Sequence, residues 1–185
     1  MRIIGGEAGG RRLVAPEGSD TRPTADKTRE SLFSILVRDV PGADVLDLFG
    51  GTGALALEAM SRGANSAVIA DVSVAAMKCI NTNIKAVMGD RPGVRFIKAD
   101  YRQALSLLRG SSFDLVFLDP PYRLSEAYAY SAGFLHENGM LAEGAVIVAE
   151  RDKKTLIDWP RGLKLRDTRV YRDTAIDFVI PEDEA

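Results

Sequence analysis

Apolar residues fall in short blocks along the chain, and the blocks alternate between two textures. Residues 45–49, 67–71, 94–97, 114–118 and 144–150 are brief, nearly continuous apolar runs bounded by glycine, proline or acidic residues, the pattern of buried strands. Between them lie longer stretches of good helix formers. Residues 54–60 read as helix and close near Gly63, and Ser73 is placed to cap a helix that runs to Met88 and stops at Gly89. Residues 103–108 and 125–136 predict two more helices, the second coming after the break at Pro120 and Pro121.

Strands and helices in alternation predict an α/β fold with a doubly wound, mostly parallel sheet covered on both faces. The end of the chain departs from that rhythm. Residues 163–171 and 174–180 predict two strands joined at Arg172-Asp173, hence an antiparallel pair. Ahead of the core, residues 2–4 and 11–14 predict a small hairpin. A helix capped by Thr24 and running to about Val37 would bury Leu32, Phe33 and Leu36. Residues 1–185 make one domain, with 1–38 an extension packed on its core.

Composition narrows the class. The chain is 46% hydrophobic and 27% charged, and no apolar run approaches the roughly 20 residues of a membrane span. One cysteine, Cys79, and one histidine, His136, argue against a disulfide framework or a Cys/His metal centre. Both are read as structural, as is Trp159. With no signal-like leader, the expectation is a cytoplasmic, metal-free protein. The net charge of −2 hides an uneven distribution: residues 151–172 hold eight Lys/Arg against three Asp/Glu, whereas 39–150 hold nine against thirteen. A basic face beside a pocket and scattered surface charge both fit that distribution.

The loop Gly50-Gly51-Thr52-Gly53 between the first strand and helix lets a ligand approach the backbone and the helix amides. Gly51-x-Gly53-x-x-Ala56 satisfies a dinucleotide fingerprint, while Asp47-x-x-x-Gly51-x-Gly53 resembles the first motif of class I methyltransferases. Both readings want an acid ending the second strand, and Asp71, with Val72 after it, lies there. Asp47 separates them. A carboxylate at the end of a buried strand calls for a donor or cation, which a methionine amino group supplies and a pyrophosphate does not. Asp100, next to Tyr101, stands after the third strand where a second acid can hold an adenine amino group.

After the fourth strand comes Asp119-Pro120-Pro121-Tyr122. In an open parallel sheet, ligands sit at the C-terminal strand edge beside the first loop. Two prolines stiffen the turn and remove two N–H donors, leaving Asp119 and backbone carbonyls as acceptors. An exocyclic base amine is a poor nucleophile because its lone pair is delocalised. Accepting both its N–H bonds, through Asp119 and the Pro120 carbonyl, frees the lone pair and steadies the developing positive charge. Tyr122 offers a face for an extruded base.

Asp47 to Gly53, Asp71 and Asp119 to Tyr122 together resemble the class I amino-methyltransferases with a D/N-P-P-Y/F/W motif. The N-terminal run Arg2 to Gly6, Gly10 to Leu13, Thr21 to Thr24 and Arg29 to Phe33 is similar to the bacterial 16S rRNA guanine-N2 methyltransferases of the RsmD type, and the likeness covers essentially the whole chain. It implies S-adenosylmethionine as cofactor and methylation of guanine 966 of 16S rRNA in the small subunit. It also implies that Arg22, Thr24 and Arg29 lie near the target, while Arg11 and Arg12 are candidate phosphate contacts. Oligomerisation is not implied. Two departures stand out: Gly50 where the family usually has alanine, expected to be harmless, and Asp71 where glutamate is more usual. The alternatives are the same chemistry on adenine N6 or protein glutamine, a non-catalytic RNA-binding module, and, more remotely, an NAD-dependent oxidoreductase.

Overall fold

Every apolar block becomes a strand, and the glycines, prolines and acids at the block ends mark where the chain turns back. The computed structural model describes residues 1–15 and 23–182, without the side chains of 23–25 and 122. The strands are β1 (Asp44–Asp47), β2 (Ser66–Asp71), β3 (Val94–Lys98), β4 (Phe113–Leu118), β5 (Leu141–Asp152), β6 (Leu163–Tyr171) and β7 (Thr174–Pro181). The helices are α1 (Pro23–Ile35), α2 (Ala54–Ser61), α3 (Val74–Met88), α4 (Tyr101–Leu107) and α5 (Glu126–Glu137). The sheet order is β3-β2-β1-β4-β5-β7-β6, and its first five members are parallel. β7 pairs antiparallel with both β5 and β6, so the expected mostly parallel sheet with an antiparallel end is what the chain adopts.

Two cores sandwich this sheet. Odd-numbered positions of β1 and β4, with even-numbered positions of β5, point to one face, where Val45, Leu115, Phe117, Val146 and Val148 meet the N-terminal segment, α1, α2 and α3. The alternate positions Leu46, Leu48, Val116, Leu118, Ile147 and Ala149 pack against α4 and α5. Ser73 caps α3 by accepting from the Ala76 amide, and the helix ends at Gly89 as its sequence predicts.

Several boundaries move for local reasons. α4 starts two residues before the expected Gln103 because Asp100 accepts from the Arg102 and Gln103 amides, both at 2.9 Å. β5 extends past both ends of the expected 144–150, because Leu141 pairs with Phe113 of β4 at its start and β7 pairs as far as Asp152 at its end. α1 begins at Pro23, whose fixed φ suits a first helical position, so Thr24 is a first-turn residue and not the expected cap. The helix gives way to a 3-10 turn, Leu36–Arg38, while Leu32, Phe33 and Leu36 are buried as expected.

The N-terminal hairpin is reduced to one bridge, Arg2 to Arg12. Its further ladder bonds are diverted, because the amides of Ile4 and Gly5 donate instead to Glu58 of α2 at 2.7 and 2.8 Å. Glu58 is fully buried and also accepts from Arg62 Nε at 2.8 Å. Arg29 lies 3.8 Å from the same carboxylate and donates to the Arg2 carbonyl and to Asp26. One acid in the middle of α2 thus ties down the segment before the core.

Candidate active site

The sheet order reverses between β2-β1 and β4-β5, so the loops leaving β1 and β4 diverge and open a crevice at the C-terminal edge. Two clefts occupy it. The first, about 720 Å³, is walled by Leu48, Phe49, Gly51, Asp71, Val72, Asp100, Tyr101 and the turn Asp119-Pro120-Pro121. The second, about 600 Å³, lies on the α1 side and is lined by Asp47, Gly50, Thr52, Glu150, Arg29 and the hairpin tip Tyr171 to Thr174. Phe49, Gly51 and Asp119 belong to both, so the clefts meet at the glycine loop and the proline turn.

The glycine loop is held from both sides. Gly51 adopts φ +53° and Gly53 φ +76°, conformations that favour glycine. The Gly51 amide donates to Asp71 Oδ2 and the Ser73 amide to Asp71 Oδ1, each at 2.8 Å. Asp71 therefore fixes the loop and still lines the first cleft. Gly53 stands behind the loop as the residue before α2 and lines neither cleft. Phe49 and Tyr101 approach ring to ring at 5.6 Å, making an aromatic wall for the first cleft.

Glycine in the family's alanine position suits the packing of this chain, and the reverse change would not. A Cβ there would stand 2.3 Å from Ile69 Cγ2 and 3.3 Å from Ile80 Cδ1, both in fully buried side chains. Alanine at this position is therefore not harmless in this chain. Gly50→Ala should destabilise the protein by about 1–3 kcal/mol through overpacking, read as a lower melting temperature. An unchanged melting temperature would show that Ile69 yields freely.

Three carboxylates converge on the second cleft. Asp47 is 2% exposed and accepts one long bond from the Phe49 amide at 3.4 Å. Burial pushes its pKa up to about 7, against the pull of the Phe49 and Ala56 amides and with a further push from Asp71. Asp119 is exposed to the clefts, yet protein atoms crowd around it. Desolvation first, then Glu150 and Asp47, raise its pKa well above the usual carboxylate range. Burial raises Glu150 as well. Glu150 is a site residue that the sequence motifs do not single out, although its signal matches that of Asp47 and Asp119: an acid closing an apolar strand. With Asp173 at the hairpin tip the cleft holds four acids against the cations Arg29 and Arg172, a balance that favours a ligand bringing positive charge and N–H groups.

The remaining candidates lie at the margins of the clefts. Tyr122 opens a short 3-10 turn, Tyr122–Leu124, and its side chain lies outside the described residues, as do Arg22 and the Thr24 side chain. Arg29 is 6% exposed and engaged with Arg2, Asp26 and Glu58, so it braces the second cleft from within. Arg11 and Arg12 are exposed on the N-terminal segment, with the Arg11 guanidinium donating to the Ala86 carbonyl. Among the described residues no cluster of His, Cys, Asp and Glu is arranged to hold a metal ion, and no helix is long and apolar enough to cross a membrane.

Comparison with known proteins fits this geometry. The family described as Conserved hypothetical protein 95, the RsmD type of methyltransferase, matches residues 1–180. The chain belongs to this family. Ribosomal RNA small subunit methyltransferase D of Escherichia coli K12 is 35% identical to this RsmD-type chain over 154 residues, 82% of the chain and 75% of the relative. The Bacillus subtilis protein YlbH is 36% identical over 156 residues, 83% of the chain and 84% of the relative. The solved structure of the E. coli protein yhhF superposes with a TM-score of 0.85 at 31% identity, covering 100% of this chain and 99% of that one. The resemblance drawn from the N-terminal arginine and threonine motifs and the strand-end acids is thus borne out, and so is the class I methyltransferase fold.

Proposed function

We propose that this RsmD-type chain methylates the exocyclic N2 of a guanine in 16S rRNA, guanine 966 by the family's pattern. The class of reaction is firm: the chain is an S-adenosylmethionine-dependent rRNA methyltransferase. The observation that carries the finer reading is the meeting of two clefts at Asp119, one shaped for an adenosine and the other acidic.

The residues present fit S-adenosylmethionine. Asp47 is a buried, under-bonded acid that suits the methionine ammonium. Asp71 and Val72 fit the ribose side of the first cleft, and Asp100 with Tyr101 its adenine end. When bound, the cofactor supplies a methyl group on a sulfonium, which is released as a neutral thioether when the new C–N bond forms. The chain's own part is positional and electrostatic. Asp119 and the Pro120 carbonyl accept the two amino N–H groups, so the nitrogen lone pair turns toward the methyl carbon. Asp119 then stabilises the positive nitrogen and takes the proton it loses. The proline turn holds these acceptors in place and keeps donors away. Arg11 and Arg12 lie on the exposed N-terminal segment as candidate phosphate contacts.

The test is transfer of radiolabelled methyl groups to small subunits lacking the modification, with nucleoside analysis of the product. Label in N2-methylguanosine supports the reading; label in N6-methyladenosine overturns it.

Binding of the cofactor should also depend on pH. Asp47 titrates near 7 in the folded, ligand-free chain and near 3.8 when unfolded. The folded state therefore retains a proton that the unfolded state gives up, and stability falls as pH rises from about 4 to about 7. A cationic partner reverses that cost by favouring the ionised carboxyl. Cofactor affinity should accordingly rise between about pH 5 and pH 7, with proton release on binding. Calorimetry in two buffers of different ionisation enthalpy measures both, and a pH-independent affinity would rule out Asp47 as the ammonium partner.

A further inference from the structure

Resting on the guanine-N2 reading, we propose that Glu150 is the residue that selects guanine, by accepting a hydrogen bond from its ring N1–H while Asp119 and the Pro120 carbonyl hold the adjacent amino group. The register puts Leu118 of β4 beside Ala149 of β5, so Asp119 and Glu150 stand one step further along neighbouring parallel strands. Adjacent strands lie about 4.8 Å apart. Asp119 continues the alternation of Leu115 and Phe117, and Glu150 that of Val146 and Val148, all in the core on the α1 and α2 side. Both acids line the second cleft. β7 pairs with β5 on its other side, with Glu150 opposite Ile176, and Tyr128 Oη donates to the Glu150 backbone carbonyl at 2.5 Å. The backbone at Glu150 is therefore fixed, and among the described residues no hydrogen bond reaches its carboxyl. The side chain is poised toward the cleft with nothing local to satisfy it.

The edges of the bases decide which one can use such a pair of acids. On guanine, the N2 amino group is flanked by N1–H, so two donors stand side by side. On adenine, the N6 amino group is flanked by ring nitrogens carrying lone pairs, and on cytosine the N4 amino group is flanked by one at N3. A second carboxylate beside the amine acceptor meets a donor on guanine and a lone pair on the other two. Leaving a buried acid facing a lone pair is costly, and that penalty rejects the wrong base. The glutamate acts as a filter as much as a grip. Burial raises the pKa of both carboxyls, and the charge of Glu150 adds to the rise at Asp119.

The experiment replaces the target guanine by 2-aminopurine in 16S rRNA reconstituted into small subunits. This base keeps the 2-amino group but has a bare N1. The wild-type chain should favour guanine by on the order of 100-fold in kcat/KM. In Glu150→Gln, whose amide donates as well as accepts, that preference should fall to within a few-fold of unity, with cofactor affinity unchanged. Glu150→Asp, which keeps the acceptor on a shorter arm, should be slower yet retain the preference. A Glu150→Gln ratio equal to that of wild type overturns the assignment, as does a wild-type ratio near one. Loss of preference in Glu150→Asp as well as Glu150→Gln would point to altered packing and also overturn it. Wild-type label appearing on adenine instead would fail the guanine reading itself, a result distinct from a failure of Glu150 alone.

Discussion

Asp119→Ala should lower kcat about a thousandfold while cofactor affinity stays within a few-fold of wild type. The carboxylate is assigned to the amine in the transition state and not to holding the donor, so its loss falls on turnover. Its removal should not unfold the chain. Among the described residues no donor bonds to Asp119, and its charge is opposed by Glu150 and Asp47. Truncation relieves that opposition, so the variant should melt at the same temperature as wild type or higher, a trade of stability against activity. Asp71→Ala should behave in the opposite way. It removes the acceptor for the Gly51 and Ser73 amides as well as a wall of the adenosine cleft, so cofactor affinity should fall about 10- to 100-fold. Single-turnover rates at saturating cofactor, together with calorimetric Kd values, separate the two. If Asp119→Ala loses affinity as much as rate, the acid belongs to the cofactor site and the proposed chemistry is misassigned.

Glu58→Ala should be the most damaging substitution for stability. Glu58 is fully buried, and its carboxylate accepts from two N-terminal amides and from Arg62, with Arg29 nearby. Removing it leaves Arg62 and two N-terminal amides without their acceptor and, among the described residues, leaves the buried Arg29 with Asp26 as its one nearby acid. Breaking one side of a buried pair costs about 3–5 kcal/mol, or on the order of 10 °C in melting temperature for a chain of this size. Hydrogen exchange should show the first dozen residues losing protection ahead of the sheet. Equal loss everywhere would mean that the segment and the sheet open as one unit.

The glycine loop, the strand-end acids and the proline turn are legible in the sequence because each breaks a local rule. Asp47 and Asp119 are charges closing apolar strands, and such breaches concentrate at functional sites. α3 is legible down to its cap, since Ser73 and Gly89 are unambiguous signals. Glu150 obeys the same logic but escapes a reading strand by strand, because what makes it matter is the register with β4, which no single strand displays. Glu58 is hidden for a different reason. Glutamate is an ordinary helix former, and nothing in residues 54–60 says that this one faces inward. Asp100 reads in the sequence as a ligand contact or a plain surface acid, yet it also starts α4, since its carboxyl caps the helix. The N-terminal hairpin looks longer in the sequence than it is because its competitor for amide bonds lies more than fifty residues downstream.

The junction of the two clefts at Phe49, Gly51 and Asp119 bears on traffic. Under the proposed function, an acceptor seated in the acidic cleft leaves the adenosine cleft, walled by Asp71, Asp100 and Tyr101, unfilled. The spent donor then has an exit that the bulky acceptor does not block, and a fresh one has a way in. Reloading while still seated on the particle is the consequence of having two doors to one room.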